Sequence, residues 1–151
     1  METNKPVLLV VDDDNMIIKI INHSLSKHYE IVSFTDMRKA MQALANGLTP
    51  DLFIIDLQIK NDTGIELIKF IKSFDAYFPE QILCLSADND QSSISAVFNA
   101  GAFDYLKKPF NPRELKLRLD RMRHRHQLIT MCALPVEATP YTTVSNISQT
   151  A

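Results

Sequence analysis

The chain has 151 residues, 46% of them hydrophobic, and a formal net charge of −2, which suits one domain of about 120 to 130 residues with a full core, followed by a tail. No apolar run approaches the roughly 20 residues that span a bilayer, and the METNKP start has neither the basic region nor the cleavage site of a signal peptide. Cys84 and Cys132 fit no zinc motif, CxxC pair or disulfide framework, so a reducing, cytoplasmic compartment is expected.

Five short apolar runs alternate with helical patterns. Val7–Val11 is continuously hydrophobic, as expected of a strand covered on both faces. Asp14 is placed to cap the helix that follows, where Ile17, Ile21 and Leu25 form a stripe with Met16 and Ile20 beside it. The run Tyr29–Phe34 admits polar residues and belongs at a sheet edge. Met37, Ala40, Met41 and Leu44 then fall at helical spacing, with Gly47 at a C′ position and Pro50 beyond it.

Leu52–Ile55 reads as another central strand, and Thr63 with Glu66 forms a capping box before a stripe of Leu67, Ile68, Ile71 and Phe74. Ile82–Leu85 is the fourth strand. The fourth helix, Asp90–Ala100, has a thin apolar face of Ile94, Val97 and Phe98 and stops at Gly101. Phe103–Leu106 is the fifth strand. Asn111, Pro112 and Glu114 supply three concordant start signals for the last helix. The alternation predicts right-handed crossovers and a doubly wound, flavodoxin-like five-stranded parallel sheet of order 2-1-3-4-5, with helices on both faces. A domain over residues 1–127 and a flexible tail or linker over 128–151 are expected, the segment from Pro135 onward being rich in Thr, Ser and Pro.

Polar groups sit at the ends of four of these runs: Asp12 and Asp13, Asp56, Ser86, and Lys108. In an open parallel sheet these ends share the carboxyl edge, where such folds bind ligands. Taken singly, the Asp12-Asp13 pair reads as turn and cap chemistry, Lys108-Pro109 as a surface turn, and Ser86 as a hydroxyl satisfied by nearby backbone. Together, three carboxylates, a hydroxyl and an ammonium have the composition of a magnesium and phosphoryl site. Magnesium takes oxygen ligands and keeps several waters, and phosphoryl transfer requires alignment and cationic charge more than covalent help.

The motifs VVDDD, D-L-x-x-x-x-x-x-G from Asp56 to Gly64, L-S-A at Leu85–Ala87 and G-A-x-D-Y-L-x-K-P-F at Gly101–Phe110 resemble the receiver domain of two-component response regulators. They occur in family order, with intervals of 44, 30 and 22 residues between Asp12, Asp56, Ser86 and Lys108. The resemblance implies Asp56 as phosphoacceptor, and Asp12, Asp13, Asp56 and the backbone carbonyl of Gln58 around Mg2+. It implies Ser86, Ala87 and Lys108 at the phosphoryl group, and Ser86 with Tyr105 as the switch pair. It further implies a sensor histidine kinase or phosphotransfer protein as donor, and an output surface made of the fourth helix, fifth strand and last helix. Asp104 and Arg118 stand where family dimers on that surface place an inter-subunit ion pair, so a homodimer is a possible assembly. The output domain or partner is unknown.

One departure is visible. Lys60 occupies the position, four after the phosphoacceptor, where the family usually has proline. Lysine restores an N–H and frees φ, which predicts a more mobile loop and a positive charge near the acidic pocket. Three rival readings follow. The first is a phosphorylation-independent pseudo-receiver acting as an interaction or dimerisation module. The second, a magnesium-dependent phosphohydrolase, would commonly need a second acid two residues after Asp56, where Gln58 stands. The third is nucleic-acid binding through the last helix, where Arg113, Lys116, Arg118, Arg121, Arg123 and Arg125 outnumber Glu114 and Asp120; without a reading motif the charge is better explained as a solvated face. His23, His28, His124 and His126 share no ligand face and read as solvated. Leu115, Leu119, Met122, His126 and Ile129 follow a heptad seam, the first three facing the sheet and the rest suggesting a helix that continues past Gln127.

Overall fold

The three central strand runs are apolar on both faces and need a cover of helices on each side, which parallel pairing through helical crossovers supplies. The computed structural model describes residues 4–78, 81–88 and 90–133. Its main sheet contains β1 (Val7–Val11), β2 (Glu30–Phe34), β3 (Leu52–Asp56), β4 (Ile82–Ser86) and β5 (Asp104–Lys107). The spatial order is β2-β1-β3-β4-β5, all parallel. This is the doubly wound order expected from the alternation.

Side chains of period two divide the interior between the two faces of the sheet. Leu8 and Val10 of β1 join α1 (Asn15–Leu25) and α5 (Pro112–Cys132) in one core, through Ile18, Ile21, Leu25, Leu115, Leu119 and Met122. Leu9 and Val11 join α2 (Met37–Ala45), α3 (Gly64–Lys72) and α4 (Gln91–Ala100) in the other. On α1 the buried stripe is Ile18, Ile21 and Leu25, while Met16 and Ile20 are exposed. The apolar cluster from Met16 to Ile21 is broad enough to allow more than one helix rotation, so spacing alone does not select Ile18 over Ile17. The thin face of α4 buries Val97 and leaves Phe98 exposed.

Helix starts obey local chemistry. Asp14, Asp36, Thr63 and Asn111 each accept a backbone N–H of the first turn. Gly101 closes α4 at φ 115, a conformation that favours glycine. α5 runs five residues past Gln127 to Cys132, so Leu128–Cys132 of the expected tail are helical. The segment from Pro135 onward lies outside the described residues. No helix among the described residues is long and apolar enough to cross a membrane.

Gly64 is the tightest backbone approach near the carboxyl edge. A Cβ there would lie 2.2 Å from the Asp56 carbonyl oxygen and 3.0 Å from Ile55 Cγ2. The N-terminus of α3 thus rests directly on the end of β3. Replacement Gly64→Ala should lower the unfolding free energy by about 1–3 kcal/mol through forced separation of the two elements. Urea denaturation midpoints measure this; an unchanged midpoint would show that the contact relaxes freely.

Candidate functional site

The strand order reverses direction at β1 and β3, the point where open parallel sheets form a crevice at the carboxyl edge, and the strand-end residues meet at that edge. One oxygen from each of Asp12, Asp13 and Asp56 can be chosen so that all lie within 4.8 Å of one another. Asp12 is fully buried, Asp56 is 5% exposed and Asp13 faces solvent. Hydrogen bonds fix Asp12: Oδ1 accepts the Asp14 N–H at 2.9 Å, and Oδ2 accepts Lys108 Nζ at 2.6 Å. The same ammonium lies 3.3 Å from Asp56 Oδ2. β1, β3 and the segment after β5 therefore converge on one shared cation.

Burial is the main reason that the Asp56 carboxyl is hard to ionise, and the charge of Asp12 adds to it. Lys108 and the Gln58 amide oppose both effects, and the result is a pKa of about 6. Burial pulls the Lys108 ammonium down, but its hydrogen bond to Asp12 and the two carboxylate charges outweigh it, so its pKa is raised. Cys84, two residues before Ser86 on β4, is pushed up to about 12, chiefly by burial, and is an inert core thiol.

Ser86 ends β4 with 3% exposure, and its Oγ accepts the Asp88 N–H at 3.0 Å. Its carbonyl accepts the Lys108 N–H at 2.7 Å, which fixes the lysine backbone to the serine strand. Ala87 follows in the exposed β4–α4 loop. Tyr105 of β5 is half-buried, packs on the α2–α3–α4 core, and donates its hydroxyl hydrogen bond to the Asp88 carbonyl. A cleft of about 680 Å3 opens beside these groups, lined by Gln58, Thr63, Ser86, Asp88, Ser92 and Ser93 among others.

Lys60 is held differently from the sequence expectation. Lys60 has φ 55 and its amide donates to Asp13 Oδ2 at 2.8 Å. Its ammonium lies 3.2 Å from Asp36 Oδ2. The loop is tied at both ends of this residue, and the charge rests on the α2 cap. A proline would fit neither the φ nor the hydrogen bond. Asp36 was not singled out from the sequence; the structure shows it capping α2 and pairing with Lys60, and the second role depends on the left-handed turn at Lys60, which no spacing rule reveals. Asp104 and Arg118 pair within the chain, with Arg118 Nη1 2.8 Å from both Asp104 oxygens and Nη2 2.7 Å from Glu114 Oε1.

The remaining histidine and seam expectations resolve by packing. Leu115, Leu119 and Met122 are buried, and His126 is half-buried against Phe78, with ring centroids 5.7 Å apart. Its Nδ1 is buried without a hydrogen-bond partner among the described residues. His126 is therefore less solvated than its place on a basic helix suggests.

With that geometry in place, comparison with known proteins decides the family. A model of the response regulator receiver domain matches residues 8–120. The chain belongs to the response regulator receiver family. It is 30% identical over 122 residues to the alkaline phosphatase synthesis transcriptional regulatory protein PhoP of Bacillus subtilis, covering 80% of this chain and 50% of that protein. It is 32% identical over 126 residues to the transcriptional regulatory protein ResD of the same organism, covering 82% and 50%. The chain thus spans about half the length of these relatives. Among solved structures, the receiver domain of the Francisella response regulator 1452 superimposes with a TM-score of 0.71 at 27% identity, covering 81% of this chain and 99% of that one.

The raised Asp56 pKa fixes a pH dependence for the metal-free receiver. In the unfolded chain an aspartate ionises near 3.9, so between about pH 4 and pH 6 the folded state holds a proton that the unfolded state has released. Stability therefore falls as pH rises through this window, by roughly 2–3 kcal/mol for this group, and the full cost persists above it. In EDTA, Asp56→Asn should raise the thermal midpoint at pH 7.5, and this advantage should shrink toward pH 4. An advantage of equal size at both pH values would contradict the assignment of the cost to the buried Asp56 charge.

Proposed function

We propose that this receiver takes a phosphoryl group from a phosphohistidine onto Asp56 in a magnesium-dependent reaction. The observation that carries the reading is the environment of Asp56: a nearly buried carboxylate between two acidic neighbours, with a lysine ammonium 3.3 Å away. Three hard carboxylate ligands suit magnesium, which uses one or two protein carboxylates and retains waters. Asp13 and Asp56 are assigned as direct ligands, with the Gln58 carbonyl beside them and Asp12 orienting a bound water. When bound, magnesium supplies divalent positive charge at the phosphoryl oxygens.

In the proposed transfer an Asp56 oxygen attacks phosphorus. A P–O bond forms, the donor P–N bond breaks, and its electron pair remains on the imidazole nitrogen, which takes up a proton. Lys108 holds positive charge against the transferred group, a term that grows as negative charge gathers at the transfer point. The Ser86 hydroxyl and Ala87 amide are assigned to its oxygens. Movement of Ser86 toward the group would release its bond to the Asp88 N–H, and Tyr105, held on the Asp88 carbonyl, would respond. That sequence links chemistry at the edge to the surface of α4, β5 and α5. Such a link biases the protein only if the phosphoryl group binds one arrangement better than the other.

A sensor histidine kinase or phosphotransfer protein is the proposed donor, the cytoplasm the proposed compartment, and residues 1–127 the proposed receiver unit. A dimer through the surface of α4, β5 and α5 would require Asp104 and Arg118 to exchange their present in-chain pairing for one between subunits. The pseudo-receiver reading loses its specific support, because the Lys60 ammonium pairs with Asp36 and not with the pocket carboxylates.

Intact mass after incubation with acetyl phosphate and magnesium tests the proposal. The expected outcome is one added phosphoryl group, absent with EDTA and absent in Asp56→Asn. A folded protein that gains nothing would favour the phosphorylation-independent module.

A further inference from the structure

Lys60 is the one non-glycine residue with positive φ among the described residues. It occupies the first position of a two-residue turn between Gln58–Ile59 and Asp62–Thr63, a hairpin in which Gln58 faces Thr63 and Ile59 faces Asp62. Hairpins of this length favour positive φ, and glycine most readily supplies it. A lysine in that conformation is strained, and here it has a contact at each end. Its N–H holds Asp13 Oδ2 at 2.8 Å, and its Nζ reaches Asp36 Oδ2 at 3.2 Å.

Asp36 divides its two oxygens between separate tasks. Oδ1 accepts the Arg38 and Lys39 N–H groups at the start of α2, and Oδ2 accepts the Lys60 ammonium. The lysine hydrogen bond is the foremost reason that the Asp36 carboxyl is held below the usual carboxylate range. Asp13 is the most exposed of the three clustered carboxylates, so it has the greatest freedom to turn away. The Lys60 amide restrains it, and fixing one oxygen determines where the other points. The ammonium, whose backbone lies beside Asp13, is held by Asp36.

We infer that Lys60 and Asp36 form a latch that sets the cation affinity of the acidic site: the Lys60 amide positions Asp13, and Asp36 keeps the Lys60 ammonium off the three carboxylates. The inference rests on the reading of Asp12, Asp13 and Asp56 as a magnesium site. Both residues are positioning residues and neither touches the reacting atoms. Removal of Asp36 alone frees a tethered cation to compete with magnesium. Removal of both the carboxylate and the ammonium does not.

Calorimetric titration of MgCl2 into the protein, without any phosphodonor, tests the latch, with thermal unfolding as the check on folding. Asp36→Asn retains a good helix cap and should weaken magnesium binding about 2- to 5-fold. In a Lys60→Met background the same change should have less than half that effect. Lys60→Gly keeps the N–H and tolerates the φ, and should stay within about 2-fold of the unsubstituted protein. Lys60→Pro loses both and should weaken binding about 10-fold. The latch is overturned if Asp36→Asn binds as tightly as the unsubstituted protein, if its effect is equal in the Lys60→Met background, or if Lys60→Gly loses as much affinity as Lys60→Pro. Absence of magnesium binding by the unsubstituted protein would instead overturn the site reading, and the latch with it.

Discussion

The site depends on one shared cation. Lys108 lies 2.6 Å from a fully buried Asp12 and 3.3 Å from a nearly buried Asp56. Desolvating one carboxylate is costly unless it is paired, and desolvating two side by side is more so. One ammonium offsets part of that cost, and with Asp13 included the cluster keeps an excess of negative charge. A fold concerned only with stability would gain by replacing such a group with apolar side chains. Its position at a solvent-accessible edge suits the cation and anion binding that the proposed chemistry requires.

The sheet makes that concentration of charge possible. Parallel pairing brings the ends of β1, β3, β4 and β5 to one edge, and helices on both faces leave the edge itself open. Gly64 allows α3 to start against the Asp56 carbonyl, so the Asp56 backbone is braced by α3. Ser86 and Lys108 are joined through the backbone, and Tyr105 and Ser86 both bond to Asp88. A displacement of the serine therefore has a short covalent and hydrogen-bonded route to the β5 surface. Coupling of this kind needs two discrete arrangements of one element, which the proposed switch would assign to the β4–α4 loop.

Much of this was legible in the sequence because strand ends, caps and glycines are local signals. Asp14, Thr63 and Asn111 announce helix starts, and Val7–Val11 and Leu52–Ile55 announce buried strands. The gathering of Asp12, Asp13, Asp56 and Lys108 follows once the topology is chosen. What stayed hidden depends on backbone sign and helix rotation. The Met16–Ile21 segment is apolar on too many positions to tell Ile18 from Ile17. Nothing in the hairpin sequence states that Lys60 is left-handed, so neither its bond to Asp13 nor the capture of its ammonium by Asp36 could be read. The resemblance marked Asp104 and Arg118 only as an inter-subunit pair, and their in-chain pairing came from the structure.

The most direct test of the central claim is the position of the acyl phosphate. After phosphorylation, borohydride reduction would convert the modified aspartate to homoserine, and peptide mapping would locate it. The account predicts homoserine at position 56 alone, while positions 12 and 13 remain aspartate. Homoserine at position 12 or 13, or at none of the three in a protein that carries phosphate, would contradict it.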